Sequence, residues 1–364
     1  MSPPTTDPAV ADRSIVEPST PQPSTPEPST PEPSTEPSRA ERVRLLAVDG
    51  HSLAYRAFHS TRHDAEAGPR PITGAVISML ASIFSYGPYD GAVVGFDHPI
   101  NHRKLDHPEY KANREATDPR LISGLSLLRQ DLADCGFVVV EEEGAEADDL
   151  VAAVVDRCLD LGWRCDILSS DRDLTALVTD GVRLLRPRAT FADLVVEDVE
   201  QVRRTYGIEP EQYSELAALR GDPSDGLEGV VGVGPVMAAR LLRDYGSIRG
   251  IYDELINLPP KLEAALRAAR HRVERNVLLM APIPHLTVDA AIAVERGFDL
   301  DRITSVLGNL GLDLQAQRLR RAITSPLQIP PVPPPPDAPT DDDHTPLRAT
   351  PRGAPLQGEQ ATMF

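Results

Sequence analysis

Three carboxylates stand within four positions in the stretch EGAEADDLVAAVV, residues 143–155: Glu146, Asp148 and Asp149. The pattern that follows them is helical. A helix start favours negative charge by roughly 0.3–1 kcal/mol per side chain, which accounts for one or two acids there but not for the crowding. The crowding recurs along the chain. Asp49 closes the apolar run VRLLAVD, Asp97 closes DGAVVGFD, and Asp171 closes RCDILSSD with Asp173 two residues on; Asp222 and Asp225 follow in GDPSDG. Nine oxygen-donor side chains without histidine or cysteine suit hard divalent cations, Mg²⁺ with Mn²⁺ as a substitute. Nine exceed the need of one Mg²⁺, so the expectation is two ions. A pair of such ions stabilises the attacking and leaving oxygens in phosphodiester cleavage.

An acidic pocket repels phosphates unless cations complement it. The segment NHRKLDHPEYKANR, residues 101–114, supplies Arg103, Lys104, Lys111 and Arg114 around Tyr110 directly after Asp97. Basic side chains interleaved with an aromatic suit phosphate contact and base stacking in splayed or single-stranded DNA. A third element is GVVGVGPVMAARLL, residues 229–242. It reads as the hairpin of a helix–hairpin–helix, in which Gly232 and Gly234 let backbone N–H groups approach duplex phosphates.

The elements that must position these residues are legible as well. Apolar runs at 43–49, 90–97 and 164–171 alternate with helical patterns such as TGAVISMLASIF and ISGLSLLRQDLADCG. Such alternation predicts an α/β fold whose mostly parallel sheet is flanked by helices on both faces. Ligands bind beyond the carboxyl ends of such strands, where each of the three runs delivers an aspartate. After about residue 215 the pattern turns helical, which predicts a second, helical subdomain.

Composition divides the chain further. Residues 1–40 hold a degenerate PEPST repeat and 326–364 a PPVPPPPDAPTDDD stretch, with 11 prolines in each, and both are expected to be disordered. The expected division is therefore tail 1–40, catalytic domain 41–215, helical DNA-binding subdomain 216–325 and tail 326–364. The tails carry net charges of −4 and −3, leaving −11 of the total −18 for the folded part. A net acidic core argues against passive coating of nucleic acid. The scattered trio Cys135, Cys158 and Cys165 lacks zinc-ligand spacing and fits a reducing cytoplasm. No apolar run reaches membrane-spanning length and no signal-peptide pattern opens the chain, so a soluble monomer without membrane partners is expected.

Taken in order, LLAVDGHSLAYRAFH, VVGFD, HPEYKANR, EGAEADDLVA, ILSSDRDLTALV and LRGDPSDGLEGVVGVG resemble the 5′-nuclease family. That family comprises the exonuclease domain of bacterial DNA polymerase I, phage 5′ exonucleases and flap endonucleases. The resemblance spans residues 45 to about 250. It implies a PIN-like or resolvase-like core followed by a helix–hairpin–helix subdomain. It also implies a structure-dependent 5′→3′ exonuclease or 5′-flap endonuclease acting on 5′ ends, flaps and nicked duplex. One metal would lie near Asp49, Asp97, Glu146 and Asp148, and a second near Asp171, Asp173 and Asp225. Asp149 and Asp222 would lie within or just behind that set. Arg103 and Lys111, with Asp148, would be catalytic; Tyr110 would stack near the reacting strand, Arg114 would support it, and K⁺ would sit at the hairpin. The usual SDNLPGV reads SDGLEGV here, with Gly226 and Glu228 in place of Asn and Pro, and GIGEKTA reads GVGPVMA. The terminal EQATMF, through Gln360, Met363 and Phe364, is similar to peptides that dock on the bacterial sliding clamp. A non-catalytic junction-binding module and an RNA-cleaving enzyme of the smaller related folds are the alternatives.

Overall fold

The computed structural model describes residues 43–61, 70–114, 116–188, 194–283 and 285–326. The expected tails, and the clamp-like Gln360, Met363 and Phe364, lie outside the described residues apart from Pro326.

A six-stranded sheet is ordered β3-β2-β1-β4-β5-β6, with β1 Arg44–Asp49, β2 Gly91–Gly95, β3 Val138–Val140, β4 Arg164–Leu168, β5 Val182–Pro187 and β6 Leu194–Glu197. The first five run parallel, and β6 is antiparallel to β5. Alternate residues of each strand feed different cores, as a sheet covered on both faces requires. Leu46 and Val48 of β1 pack with the helices Gly50–Thr61, Pro71–Phe84 and Pro119–Asp134. Leu45 and Ala47 pack on the other face with the helix Ala147–Asp160 through Leu150, Val151 and Val154. A Cβ at Gly91 would lie 2.6 Å from the carbonyl of Ala293, so the helix Ala291–Arg296 rests directly on the backbone at the start of β2.

The helical part has its own core. Helices Tyr213–Arg220, Pro235–Tyr245, Ile248–Asp253 and Pro260–Met280 enclose Leu216, Leu241, Leu242, Ile251 and Leu266. A short hairpin, β7 Gly221–Asp222 with β8 Leu227–Glu228, follows the first of these helices, with Asp222 ending β7 and Asp225 on the turn. Among the described residues, no helix is long and apolar enough to cross a membrane.

The structure corrects the expected division at 216–325. Helices Leu300–Asn309 and Asp313–Thr324 return to the sheet domain, where Ile303, Leu307, Leu319 and Ala322 join the core built on Ile72, Val76 and Leu80. An amphipathic stripe shows that a helix buries one face but not against which layer, so sequence order placed them with their neighbours. Leu319 is fully buried in that sheet-domain core. Leu319→Ala is therefore expected to cost about 2–5 kcal/mol in chemical denaturation. A loss under about 1 kcal/mol would show that the last helix does not close this core.

Candidate active site

β1 ends at Asp49, and the carboxyl group of that residue is fixed by the protein itself. Its Oδ1 accepts the Ser52 N–H at 2.8 Å, and its Oδ2 accepts the Ser169 hydroxyl at 2.7 Å. Ser169 also accepts the Asp171 N–H at 2.9 Å, so one buried hydroxyl ties the ends of β1 and β4 together. Two residues beyond β2, Asp97 accepts the Ala147 N–H at 2.8 Å at the start of the helix Ala147–Asp160, while His51 Nδ1 lies 3.7 Å from its other oxygen. Asp171 in turn accepts the Asp173 N–H at 2.9 Å, and Asp173 opens the 3₁₀ turn Asp173–Leu177. Asp222 accepts both the N–H and the hydroxyl of Ser224. The acids expected from the chain's scattered motifs are thus gathered along the carboxyl edge of the sheet and the facing hairpin. Asp148 and Asp173 line the same small cavity.

The basic segment closes over this group. Lys111 Nζ donates to Glu146 at 2.7 Å, and the Tyr110 hydroxyl lies 3.1 Å from Glu146 and 3.3 Å from Asp225. Arg114 donates to Asp225 at 2.6 Å. Lys111 adopts a positive φ of 54°, and its N–H is held by the Asp225 carbonyl at 2.9 Å. A non-glycine residue in that region carries strain that its surroundings must offset.

The geometry bears on three of these expectations. Asp149 does not face the site: it is 1% exposed, and its oxygens accept from Arg103, from the Glu146 N–H and from the Ile283 N–H. A carboxylate with all these donors has no lone pairs to spare for a cation. Arg103 is turned inward too, forked onto Asp149 at 2.6 Å through both terminal nitrogens and donating to the Ala281 carbonyl at 2.8 Å. Its guanidinium joins the start of the Ala147–Asp160 helix to the segment leaving the helical unit and also donates to Glu146 at 3.2 Å, so it is buried at the edge of the acid group. Tyr110 is buried, with its ring under the Lys111 ammonium at 4.7 Å, and so offers no face for stacking a base. Lys104, expected to contact DNA, is exposed. Gly232 has φ 82° with open space around it, and Gly234 caps the helix Pro235–Tyr245, so both leave backbone accessible at the hairpin.

Electrostatics separates the acids. Burial pushes Asp49 up to about 7, with the Asp97 and Asp171 charges adding to the effect. Burial, then the charges of Asp171, Asp222 and Asp225, raises Asp173 to about 8. Asp148 is raised well above the carboxylate range by burial and by Glu146 and Asp149. Glu146 behaves oppositely: burial alone would raise it, but Lys111 and Arg103 outweigh burial and hold it below its ordinary value. Among the described residues, no three histidine, cysteine or acidic side chains converge into a ready-made metal centre. Protein donors occupy part of the oxygen set instead. The remaining crowded, uncompensated carboxyls are hard donors whose mutual repulsion a divalent cation would relieve, so the residues present fit such an ion.

Ser169 and His51 were not singled out by sequence reasoning. The signal for Ser169 was available, since a small hydroxyl residue precedes Asp171 by two positions at a strand end.

Two 5′-3′ exonuclease models divide the chain: the N-terminal resolvase-like domain matches residues 44–207 and the C-terminal SAM fold matches 208–295. The 5′-3′ exonuclease of Mycoplasma genitalium is 33% identical over 236 residues, 61% of this chain and 79% of that protein. DNA polymerase I of Mycobacterium tuberculosis is 36% identical over 237 residues, 64% of this chain but 26% of that protein, so the chain spans about a quarter of that relative. The bacteriophage T5 flap endonuclease, solved as a pseudo-enzyme-product complex with DNA and metal ions, has the same fold, with a TM-score of 0.54 at 22% identity, covering 78% of this chain and all of that one. A resolvase-like sheet domain with acids at its carboxyl edge and a helical partner domain defines the 5′-nuclease class. The chain belongs to the 5′-3′ exonuclease family.

Two outcomes test the electrostatic reading. Asp173 has its folded pKa, about 8, above its unfolded value of roughly 3.9, so its contribution to stability is full at low pH and is lost as pH rises through about 8. In chelator, Asp173→Asn should therefore match the wild-type melting temperature near pH 4 and exceed it increasingly toward pH 9; a pH-independent difference would refute the assignment. Arg103→Ala leaves Asp149 buried without its cation and should cost about 3–5 kcal/mol, measured by denaturant unfolding. Wild-type stability in that variant would return Arg103 to the substrate side.

Proposed function

We propose that the protein hydrolyses phosphodiester bonds in DNA from 5′ ends and at 5′ flaps, leaving 5′-phosphate products. The observation that carries this reading is the single hydrogen-bonded acid site, joined through Ser169 and Tyr110, with the Lys111 ammonium set between its halves. One Mg²⁺ or Mn²⁺ would be held by Asp49, Asp97, Glu146 and Asp148, and a second by Asp171, Asp173 and Asp225, with Asp222 behind. Such cations withdraw charge from the attacking and leaving oxygens of a phosphodiester.

The chain's own residues do the rest. Lys111 keeps its proton: burial works against it, but the charges of Glu146, Asp225 and Asp148 outweigh that. It can therefore offset the negative charge of a phosphate brought beside Glu146. Arg114, half-exposed on Asp225, lies at the mouth of the site and can follow the strand that enters. The exposed hairpin at Gly232 and Gly234 can bring backbone to the phosphates of a duplex, and K⁺ at that hairpin would add to the grip. This division supports substrates that combine a duplex with a free 5′ strand, including nicked duplex. Docking on a sliding clamp through Gln360, Met363 and Phe364, monomeric action and a cytoplasmic location complete the proposal.

The departures at Gly226 and Glu228 do not weaken it. Gly226 has φ 73°, a conformation that glycine enters freely, and the Glu228 side chain points to solvent while its carbonyl accepts from Asn276.

The deciding assay is cleavage of a 5′-labelled flap with Mg²⁺, with Mn²⁺ and with chelator. Metal-dependent release of the flap is expected, abolished in Asp148→Ala and Asp171→Ala while DNA binding persists. Lys111→Ala should lower the cleavage rate by about 10²-fold or more and weaken binding far less. Flap binding without cleavage under either metal would instead favour a junction-binding module.

A further inference from the structure

Glu197 is a buried carboxylate that takes no part in the chemistry above. It closes β6, the antiparallel edge strand, and is 1% exposed. Its Oε2 accepts the Thr175 hydroxyl at 2.9 Å, and its Oε1 accepts Arg186 Nε at 2.9 Å and the Tyr206 hydroxyl at 3.4 Å. Thr175 is fully buried and is the third residue of the 3₁₀ turn that Asp173 opens. That turn is closed on itself through Thr175, whose N–H donates to the Arg172 carbonyl at 2.9 Å and whose carbonyl accepts from Val178 at 3.2 Å.

A turn of this kind holds poorly by itself, because 3₁₀ hydrogen bonds are badly aligned. Here it must also hold Asp171 and Asp173 together against their mutual repulsion and that of Asp222 and Asp225. An external anchor is therefore needed, and Glu197 is the polar group placed to supply it. The same carboxylate reaches toward the other half of the acid set. Tyr206 packs edge-on against Tyr213 at 5.1 Å, Arg220 lies over the Tyr213 ring at 5.7 Å, and its guanidinium is 4.0 Å from Asp222.

We infer that Glu197 is a positioning residue: through Thr175 and the Tyr206–Tyr213–Arg220 contacts it sets the spacing of Asp171 and Asp173 relative to Asp222 and Asp225. If Glu197 served only to neutralise Arg186 in the β5–β6 hairpin, the Thr175 hydroxyl would be dispensable. The inference rests on the reading that Asp171, Asp173 and Asp225 hold a divalent cation.

Mn²⁺ titration of the full chain by calorimetry, with thermal melts of the metal-free protein alongside, tests it. Thr175→Val removes the hydroxyl and keeps the shape, and should weaken one Mn²⁺ site about tenfold while leaving the other unchanged. Thr175→Ser keeps the hydroxyl and should restore wild-type affinity. Wild-type Mn²⁺ affinity in folded Thr175→Val, or equal weakening in both variants, would overturn the inference. Should Thr175→Val not fold, Glu197→Gln carries the same readout. Loss of the charge-assisted bond should weaken Mn²⁺ about threefold, and unchanged affinity would again overturn it. The underlying reading fails separately: Asp173→Asn with unaltered Mn²⁺ stoichiometry and affinity would show that this group holds no cation, whatever Thr175 does.

Discussion

Repulsion between carboxylates at the carboxyl edge of the sheet is the constraint on which the rest of the molecule depends. Burial raises the cost of each ionised group, and each neighbour raises it further, which is why Asp49 and Asp173 reach about 7 and about 8. The protein answers with donors rather than by spreading the acids out. Backbone N–H groups at two helix starts, two serine hydroxyls, a lysine and an arginine each engage one carboxyl group, and a tyrosine engages two. What is left unpaired is the part of the set suited to a hard cation.

The basic segment between β2 and the helix Pro119–Asp134 serves two purposes that its composition merges. Arg103 and Tyr110 face inward, whereas Lys111 is half-buried and Arg114 and Lys104 are exposed. The strained backbone at Lys111 marks where the chain turns from one purpose to the other. Arg103 with Asp149 also fastens the helix Ala147–Asp160 to residues 281–283, so the helical unit and the acid site are linked through a buried ion pair. Breaking such a pair is costly because it strands a charge, whereas the pair itself contributes little net stability.

The route of the chain explains how two units share one site. After its helical excursion the chain comes back, lays Ala293 against the start of β2 and completes the first core with its last two helices. The sheet domain is thus closed by residues far along the sequence. Asp225, on the β7–β8 turn, is presented from the helical side and held by Tyr110 and Arg114, while Asp222 is held by Ser224.

The chemistry was legible in the sequence by itself. Acids recurring after apolar runs, a basic segment with one aromatic, and a glycine hairpin are local patterns, and local patterns report residue types, strand ends and turns. The parallel sheet and its covering on both faces followed from the same alternation. Strands β3, β5 and β6 do not stand out in the sequence: β3 and β6 have three or four residues, and β5 interleaves arginines with its apolar positions. Only the tertiary structure decided which acids point into the site. Asp149 and Asp148 are adjacent in sequence and equally acidic, yet one is consumed by Arg103 and the other faces the cavity, because successive helix positions lie about 100° apart and only packing orients them. It likewise decided that Arg103 and Tyr110 turn inward, that the last helices close the sheet domain, and that Ser169 joins Asp49 to Asp171, since each depends on contacts between segments distant in the chain.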